Sequence, residues 1–418
     1  MRILLLLFLL VLCSCASRAQ QGPENLTSVQ IIDRNGFSET ISVKSRLETF
    51  DKVNFLAPQP YKKVMRVFGK NATGQALAKI TSYHSNGQLW QYLEVVNGRA
   101  FGPYREWHPN GRLKLEGFVI EGIADVAQRS QSSWVFDGKS SAYDEEGQLV
   151  AEIFYEKGAL EGNSLYYHSN GKLARSVPYH HDLLEGTLEF YDEMGRVTET
   201  IPYHLGLRQG SAVGYWSGGA IKYYEEYQDD LLKTGTYFFQ DSTLAAEIKE
   251  GEGQKALFKD NTISSLIEYQ GGVICGKVQL FDQEGRLTGC YHIRDNKKQG
   301  EEWEYYPKEK LPKLYLYWDD DKIQGMAKTW YPNGVQQSER EMHGNKKHGL
   351  SFAWYEEGQI MLIEEYENDT LVKGSYFKKG DKLPVSKIEN GKGIATLYDS
   401  RGHFIKKIPY DRNQPTLE

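Results

Sequence analysis

Cysteine is scarce in this chain: there are four in 418 residues, and Cys13 and Cys15 sit at the end of the opening apolar run. Cys275 and Cys290 alone remain, which excludes a disulfide framework as the organiser of the fold. Positive charge is not in excess either, with 50 Lys and Arg against 56 Asp and Glu and a net charge of −6. The basic residues fall in scattered pairs (Lys297-Lys298, Lys346-Lys347, Lys406-Lys407) and form no stripe, so no nucleic acid partner is expected. After residue 12 no apolar run approaches the length of a membrane span, in keeping with a mean hydropathy of −0.58.

Catalytic constellations are also missing. Glu252-Gly253-Gln254-Lys255 lacks the long glycine-rich loop and following helix of a phosphate cradle. Ser169-Asn170-Gly171-Lys172 has the spacing of a Ser-x-x-Lys nucleophile but falls on a turn, where the helix that would join Ser to Lys is absent. His180-His181-Asp182 is the densest metal-like cluster. Adjacent strand residues point to opposite faces, so it is expected to be a solvated turn. Asp319-Asp320-Asp321 lacks the spaced ligands and closing Glu of a calcium loop. No catalytic residue, cofactor or metal set is therefore expected, and the chain reads as a non-enzyme.

What is present is a rhythm. Gly162, Gly186 and Gly210 each open the same phrase, and Gly102, Gly138, Gly276, Gly300, Gly325, Gly349 and Gly393 open it elsewhere, with a period of about 24 residues. An aromatic stands five places on: Tyr83, Trp107, Tyr143, Tyr167, Tyr191, Tyr215, Phe281, Tyr305, Trp330, Trp354 and Tyr398. A second glycine follows nine places after the opening one: Gly87, Gly111, Gly147, Gly171, Gly195, Gly219, Gly285, Gly334, Gly358 and Gly402. Alternation around the aromatic predicts two strands, and phrases such as His108-Pro109-Asn110-Gly111 predict a type I turn closed by a left-handed glycine with a bulge. The fifth residue then faces the eleventh, which puts an aromatic ladder and an aliphatic row on one packed face, with the other face wet. In this register Cys275 and Cys290 lie on opposite faces, so no bond is expected between them. The predicted fold is all-β: an elongated array of stacked antiparallel β-hairpins in one long twisted or curved sheet, with a small N-terminal cap.

The array spans 78–410, interrupted near 123–136, 235–251 and 374–392, and a polar tail covers 411–418. The Gln- and Ser-rich stretch 123–136 reads as an inserted mobile loop. The other two interruptions share a phrase, Thr234-Gly235-Thr236-Tyr237 and Lys373-Gly374-Ser375-Tyr376, which predicts a longer duplication. Residues 26–77 lack the repeat. They read as a cap over the first sheet edge, with a hairpin split at Asp33-Arg34-Asn35-Gly36, or as a recognition module.

Residues 1–14 have one early positive charge and an apolar core from Ile3 to Leu12, the pattern of a secretory signal peptide. Leu12, Ser14 and Cys15 resemble the lipobox of a bacterial lipoprotein. That resemblance implies acyl chains such as palmitate on Cys15, a lipidated tether over 15–25 and, with Ala16 and Ser17 following, an outer membrane address. The phrases Tyr83-His84-Ser85-Asn86-Gly87-Gln88-Leu89, Trp107-His108-Pro109-Asn110-Gly111-Arg112-Leu113 and Tyr167-His168-Ser169-Asn170-Gly171-Lys172-Leu173 resemble the variant form of the MORN repeat. Such repeats occur in lipid-binding and scaffolding proteins and in proteins labelled as antitoxins, so the resemblance implies architecture more than activity. The expected function is a lipid-anchored interaction scaffold of the bacterial envelope, attached to the membrane through its lipid and partnered by a protein or envelope polymer. An antitoxin-like neutraliser and an envelope hydrolase are the alternatives.

Overall fold

The computed structural model describes residues 25–50 and 53–416. The signal peptide 1–14, Cys15 and the tether up to residue 24 lie outside them. Among the described residues the chain is all-β, with helix confined to Lys44–Leu47, Glu48–Phe50 and Gln128–Gln131. Its contacts divide it into two units, one ending at Val197 and one beginning at Thr198, each built of antiparallel strands that pair in chain order.

The repeat is a hairpin with two different ends. Gly162–Tyr167 pairs with Leu173–His180, and Tyr167 faces Leu173 after a bulge between Tyr166 and Tyr167. The same pairing joins Tyr83 to Leu89, Trp107 to Leu113, Tyr215 to Ile221 and Trp354 to Ile360. At the turn the Gly171 N–H donates to the His168 carbonyl at 2.8 Å and the His168 N–H to the Lys172 carbonyl at 2.8 Å. The ten turn glycines have φ between +75° and +95°, where a Cβ is unfavourable. The repeat of Tyr305 differs: that ring faces Pro312, and Lys310 carries the positive φ in its loop. The opposite turns are of the two-residue kind with both φ positive, as at Asp229-Asp230 and Asn368-Asp369.

The expectation of one packed and one wet face fails along much of the array. Tyr83 is buried, but the other ten ladder aromatics are only half-buried. Residues of 138–196 join none of the buried apolar clusters, and apart from Ser141, Ala151, Ser164, Ser176, Val177 and Pro178 their strand residues are half-buried or exposed. The rings do not stack on one another either. Ladder positions recur on every second strand, about 10 Å apart, so their ring contacts are with other positions: Trp330 and Tyr305 with Trp303, Trp354 with Phe352, Tyr398 with Phe404.

The N-terminal region extends the sheet of the first unit. Asn25–Asp33 pairs with Lys62–Lys70 on one side and with the short edge strand Ser38–Ile41 on the other. Leu47 and Phe55 pack with Val29, Met65 and Tyr83 to form a second layer there. Gly87 is required by that packing, since a Cβ would lie 2.8 Å from Pro60 Cα.

The expectation of a mobile loop at 123–136 is overturned. The stretch 123–136 is a packed plug, with Val126 and Trp134 in a buried cluster, Trp134 Nε1 donating to the Ile123 carbonyl at 2.9 Å, and Arg66 paired with Asp125 at 2.9 Å. Its polar composition hid two apolar anchors. Where the sequence phrase is interrupted, at 235–251 and 374–392, the strands still pair in series: Leu231–Phe238 with Leu244–Lys249 and that with Glu252–Lys259, and Thr370–Tyr376 with Ser386–Glu389 and that with Lys392–Tyr398.

Candidate functional site

The most elaborated side-chain cluster lies in the second unit, around Glu225. Glu225 is opposite Gly235 across a strand pair, and Tyr237 stands two residues beyond that glycine on the same face. With no side chain at Gly235 the Tyr237 ring folds back over it; a Cβ there would lie 2.6 Å from the tyrosine Oη. The hydroxyl thereby reaches Glu225 Oε1 at 2.6 Å, Tyr227 Oη donates to Oε2 at 2.7 Å, and Lys255 Nζ closes on Oε1 at 2.5 Å. Glu225 is 3 % exposed, and a buried carboxylate needs such partners. Tyr223 donates to Glu199, and Arg208 lies over the Tyr227 ring at 4.2 Å while pairing with Asp230 at 2.8 Å. Glu199, Arg208, Tyr223, Glu225, Tyr227, Tyr237 and Lys255 line a cleft of about 470 Å³. Burial first, and the Glu225 charge second, push the hydroxyls of Tyr227 and Tyr237 well above the ordinary tyrosine range and raise that of Tyr269. The cleft is thus aromatic-walled, with Glu199, Arg208, Glu225 and Lys255 holding polar partners and Lys222 lying over the Trp216 and Phe258 rings.

A second open groove, of about 860 Å³, lies in the first unit between the N-terminal strands and the 123–136 plug, lined by Arg34, Arg66, Trp90, Glu106 and Asp125 among others.

The repeat positions turn out to hold the hairpins to one another. The residue after the ladder aromatic reaches the backbone of the next repeat: His84 to the Trp107 carbonyl at 2.8 Å, His108 to Tyr143 at 2.9 Å, His168 to Tyr191 at 2.9 Å, Tyr331 to Trp354 at 2.7 Å. Turn asparagines do the same, Asn86 to Pro109, Asn170 to Glu193 and Asn333 to Glu356, at 2.7 to 2.9 Å. Where that residue is Asp, as at Asp192, Asp282 and Asp399, it caps its own turn. At the far end an αL Asp or Asn clamps the preceding repeat, with Leu160, Arg208, Ile323 and Lys347 N–H groups donating to Asp182, Asp230, Asn345 and Asp369.

Of the motifs weighed from sequence, Lys255 enters the cleft as an ion-pair partner of Glu225, a role that its glycine-flanked context did not reveal. The signal lay in the duplication, where Lys255 stands against Ala395. The argument from strand alternation fails for His180-His181-Asp182, because His181 and Asp182 are turn residues with φ of 49° and 66°. Cys275 and Cys290 are free thiols.

Residues 136–157, 160–181 and 347–368 match the family described as the MORN repeat variant. The chain carries repeats of that type. The two adjacent matches are consecutive hairpins of the first unit, and the third lies in the second unit just before the Tyr376 strand. A search of curated proteins finds no match.

Proposed function

We propose that this protein is a non-enzymatic scaffold of the bacterial envelope, held at the outer membrane by a lipid on Cys15 and presenting its sheet faces to a protein or an envelope polymer. The observation that carries the scaffold reading is the half-open aromatic row. Tyr143, Tyr167 and Tyr191 keep ring surface accessible on strands whose ends are fixed by backbone-directed side chains. Rigid aromatic surface is what a docking face needs, because little side-chain entropy is lost on contact. The non-enzymatic reading is supported by the pairing inside the cleft, where Glu225, Lys255, Arg208 and Glu199 all hold partners. The address rests on the Leu12-Cys13-Ser14-Cys15 run alone.

Metabolic labelling with an alkyne fatty acid, comparing the natural chain with Cys15→Ala and following both through membrane fractionation, tests the anchor. Label lost with Cys15, together with release of the protein from membranes, is the expected result. Unlabelled, unprocessed protein in the cytosol would remove the envelope address and favour the neutraliser alternative.

A further inference from the structure

Glu161, His180 and His181 come together at the open end of one hairpin. His180 Nδ1 lies 2.9 Å from Glu161 Oε1 and His181 Nδ1 lies 3.2 Å from Oε2. Among the described residues, these three side chains are a group of His, Cys, Asp or Glu whose ligand atoms all lie within 4.8 Å of one another. The backbone explains the convergence. Glu161 immediately precedes the opening Gly162, and its Oε2 accepts the His181 N–H at 2.9 Å. Other repeats make the same bond with different chemistry: Gln209 accepts from Asp229, Gln299 from Asp320 and Gln324 from Gly344. In this repeat the acceptor is a carboxylate and the turn brings two imidazoles, so a backbone clamp becomes a set of three ligands.

We propose that Glu161, His180 and His181 bind a divalent transition metal ion of the zinc class, with its remaining coordination positions open to solvent. Two imidazole nitrogens with one carboxylate oxygen suit zinc, nickel or copper and not the oxygen-seeking magnesium or calcium. Ligands at about 2.0–2.1 Å from one ion stand roughly 3 to 3.5 Å from each other; the two rings meet different oxygens of Glu161, and a set with one atom from each residue lies within 4.8 Å, so the side chains must draw together to share one ion. The rings can follow, since the His180 and His181 side chains are 61 % and 72 % exposed. The same exposure leaves the outer side of the ion to water or to a ligand from a partner. Glu161 is anchored by the His181 N–H on Oε2 and faces His180 through Oε1, so the carboxylate is already turned toward both rings. The charges of Glu185 and Glu156 act on His180 from nearby and add to the local negative potential. To ligate through Nδ1 each neutral imidazole carries its proton on Nε2, so a ring that had directed Nδ1–H at the carboxylate moves that proton through solvent to Nε2, and the ion takes the place of the hydrogen bond.

The test is isothermal titration of the purified full chain with zinc chloride, against variants chosen to keep the turn. His181→Asn retains a residue that tolerates positive φ, His180→Gln retains a polar strand end, and Glu161→Gln copies the acceptor of the other repeats. The expected result is one zinc per chain with micromolar affinity, undiminished by excess magnesium, and weakened at least about tenfold by each single change. The His180→Gln/His181→Asn pair should abolish it, with an unchanged circular dichroism spectrum. Zinc affinity that survives the double change, or no zinc retained against a chelator of micromolar affinity, would overturn the proposal. Should the double variant lose its spectrum, Glu161→Gln alone decides, since its backbone acceptor is preserved.

Discussion

The second unit contains the same device twice, and the two copies have diverged at one point. Glu225 with Tyr227, Tyr237 and Tyr269 corresponds to Glu364 with Tyr366, Tyr376 and Tyr410. In each copy a tyrosine folds over a glycine, Gly235 or Gly374, to reach the glutamate opposite. In each a cation lies over the second tyrosine, Arg208 on Tyr227 at 4.2 Å and Lys347 on Tyr366 at 4.4 Å. The first copy adds Lys255 and Tyr223 and becomes a cleft; the second has Ala395 and Leu362 in their places. Its Glu364 is only half-buried and accepts its two hydroxyls at 2.9 Å each. The tyrosine-over-glycine fold is therefore the structural minimum, and the buried ion pair is what the first copy has gained.

The largest expected effect separates the copies. Lys255→Met strands a buried carboxylate and should cost about 3–5 kcal/mol in urea denaturation, whereas Glu225→Gln in the same background should recover much of it. Glu364→Gln, at a half-exposed site with no lysine, should cost well under half as much. Next comes a change that should treat the copies alike: Gly235→Ala and Gly374→Ala place a Cβ 2.6 and 2.7 Å from a tyrosine Oη, for roughly 1–3 kcal/mol each. A large difference between them would mean that the folded-back tyrosine matters in only one copy.

Alkaline titration examines both copies at once. The hydroxyls of Tyr227, Tyr237, Tyr366 and Tyr376 are raised by burial above the unfolded value near 10. Because the folded state holds these protons more tightly, their contribution is intact below about pH 10 and is lost as pH climbs through the folded values. Denaturation midpoints should fall from that point, with tyrosinate absorbance lagging behind that of the unfolded chain. The smallest effect concerns the equivalent bonds made by Trp216 and Tyr355, to the Phe238 carbonyl at 3.2 Å and the Phe377 carbonyl at 2.7 Å. Tyr355→Phe should cost about 1 kcal/mol, and Trp216→Phe less from its hydrogen bond.

What could be read in advance follows from where the information is local. Turn type, the pairing of Tyr167 with Leu173, and the duplication all depend on residues within a hairpin or on a phrase compared with itself. The half-exposure of the ladder did not show, because a period of two marks a strand and not whether anything covers it. Trp134 was hidden in a polar stretch that packs against residues near 100, and Glu225 was one acid among 56 until Gly235 and Tyr237 were placed opposite it. His180-His181-Asp182 does form an exposed turn, but not for the reason of strand alternation, since His181 opens that turn, and the approach of Glu161 to both rings did not show in the sequence.

The bonds between hairpins end on peptide groups. His168 and Asn170 take hold of the carbonyls of Tyr191 and Glu193, atoms that any residue at those places would supply. Where a His, Tyr or Asn supplies the donor, neighbouring hairpins are thus joined by a coupling indifferent to the accepting residue, so a block bounded by two opening glycines can be exchanged with little re-fitting of the hairpin that follows it. Substitution can then change the sheet faces one hairpin at a time, as the two copies differ at Lys255 and Ala395, while such backbone couplings are kept.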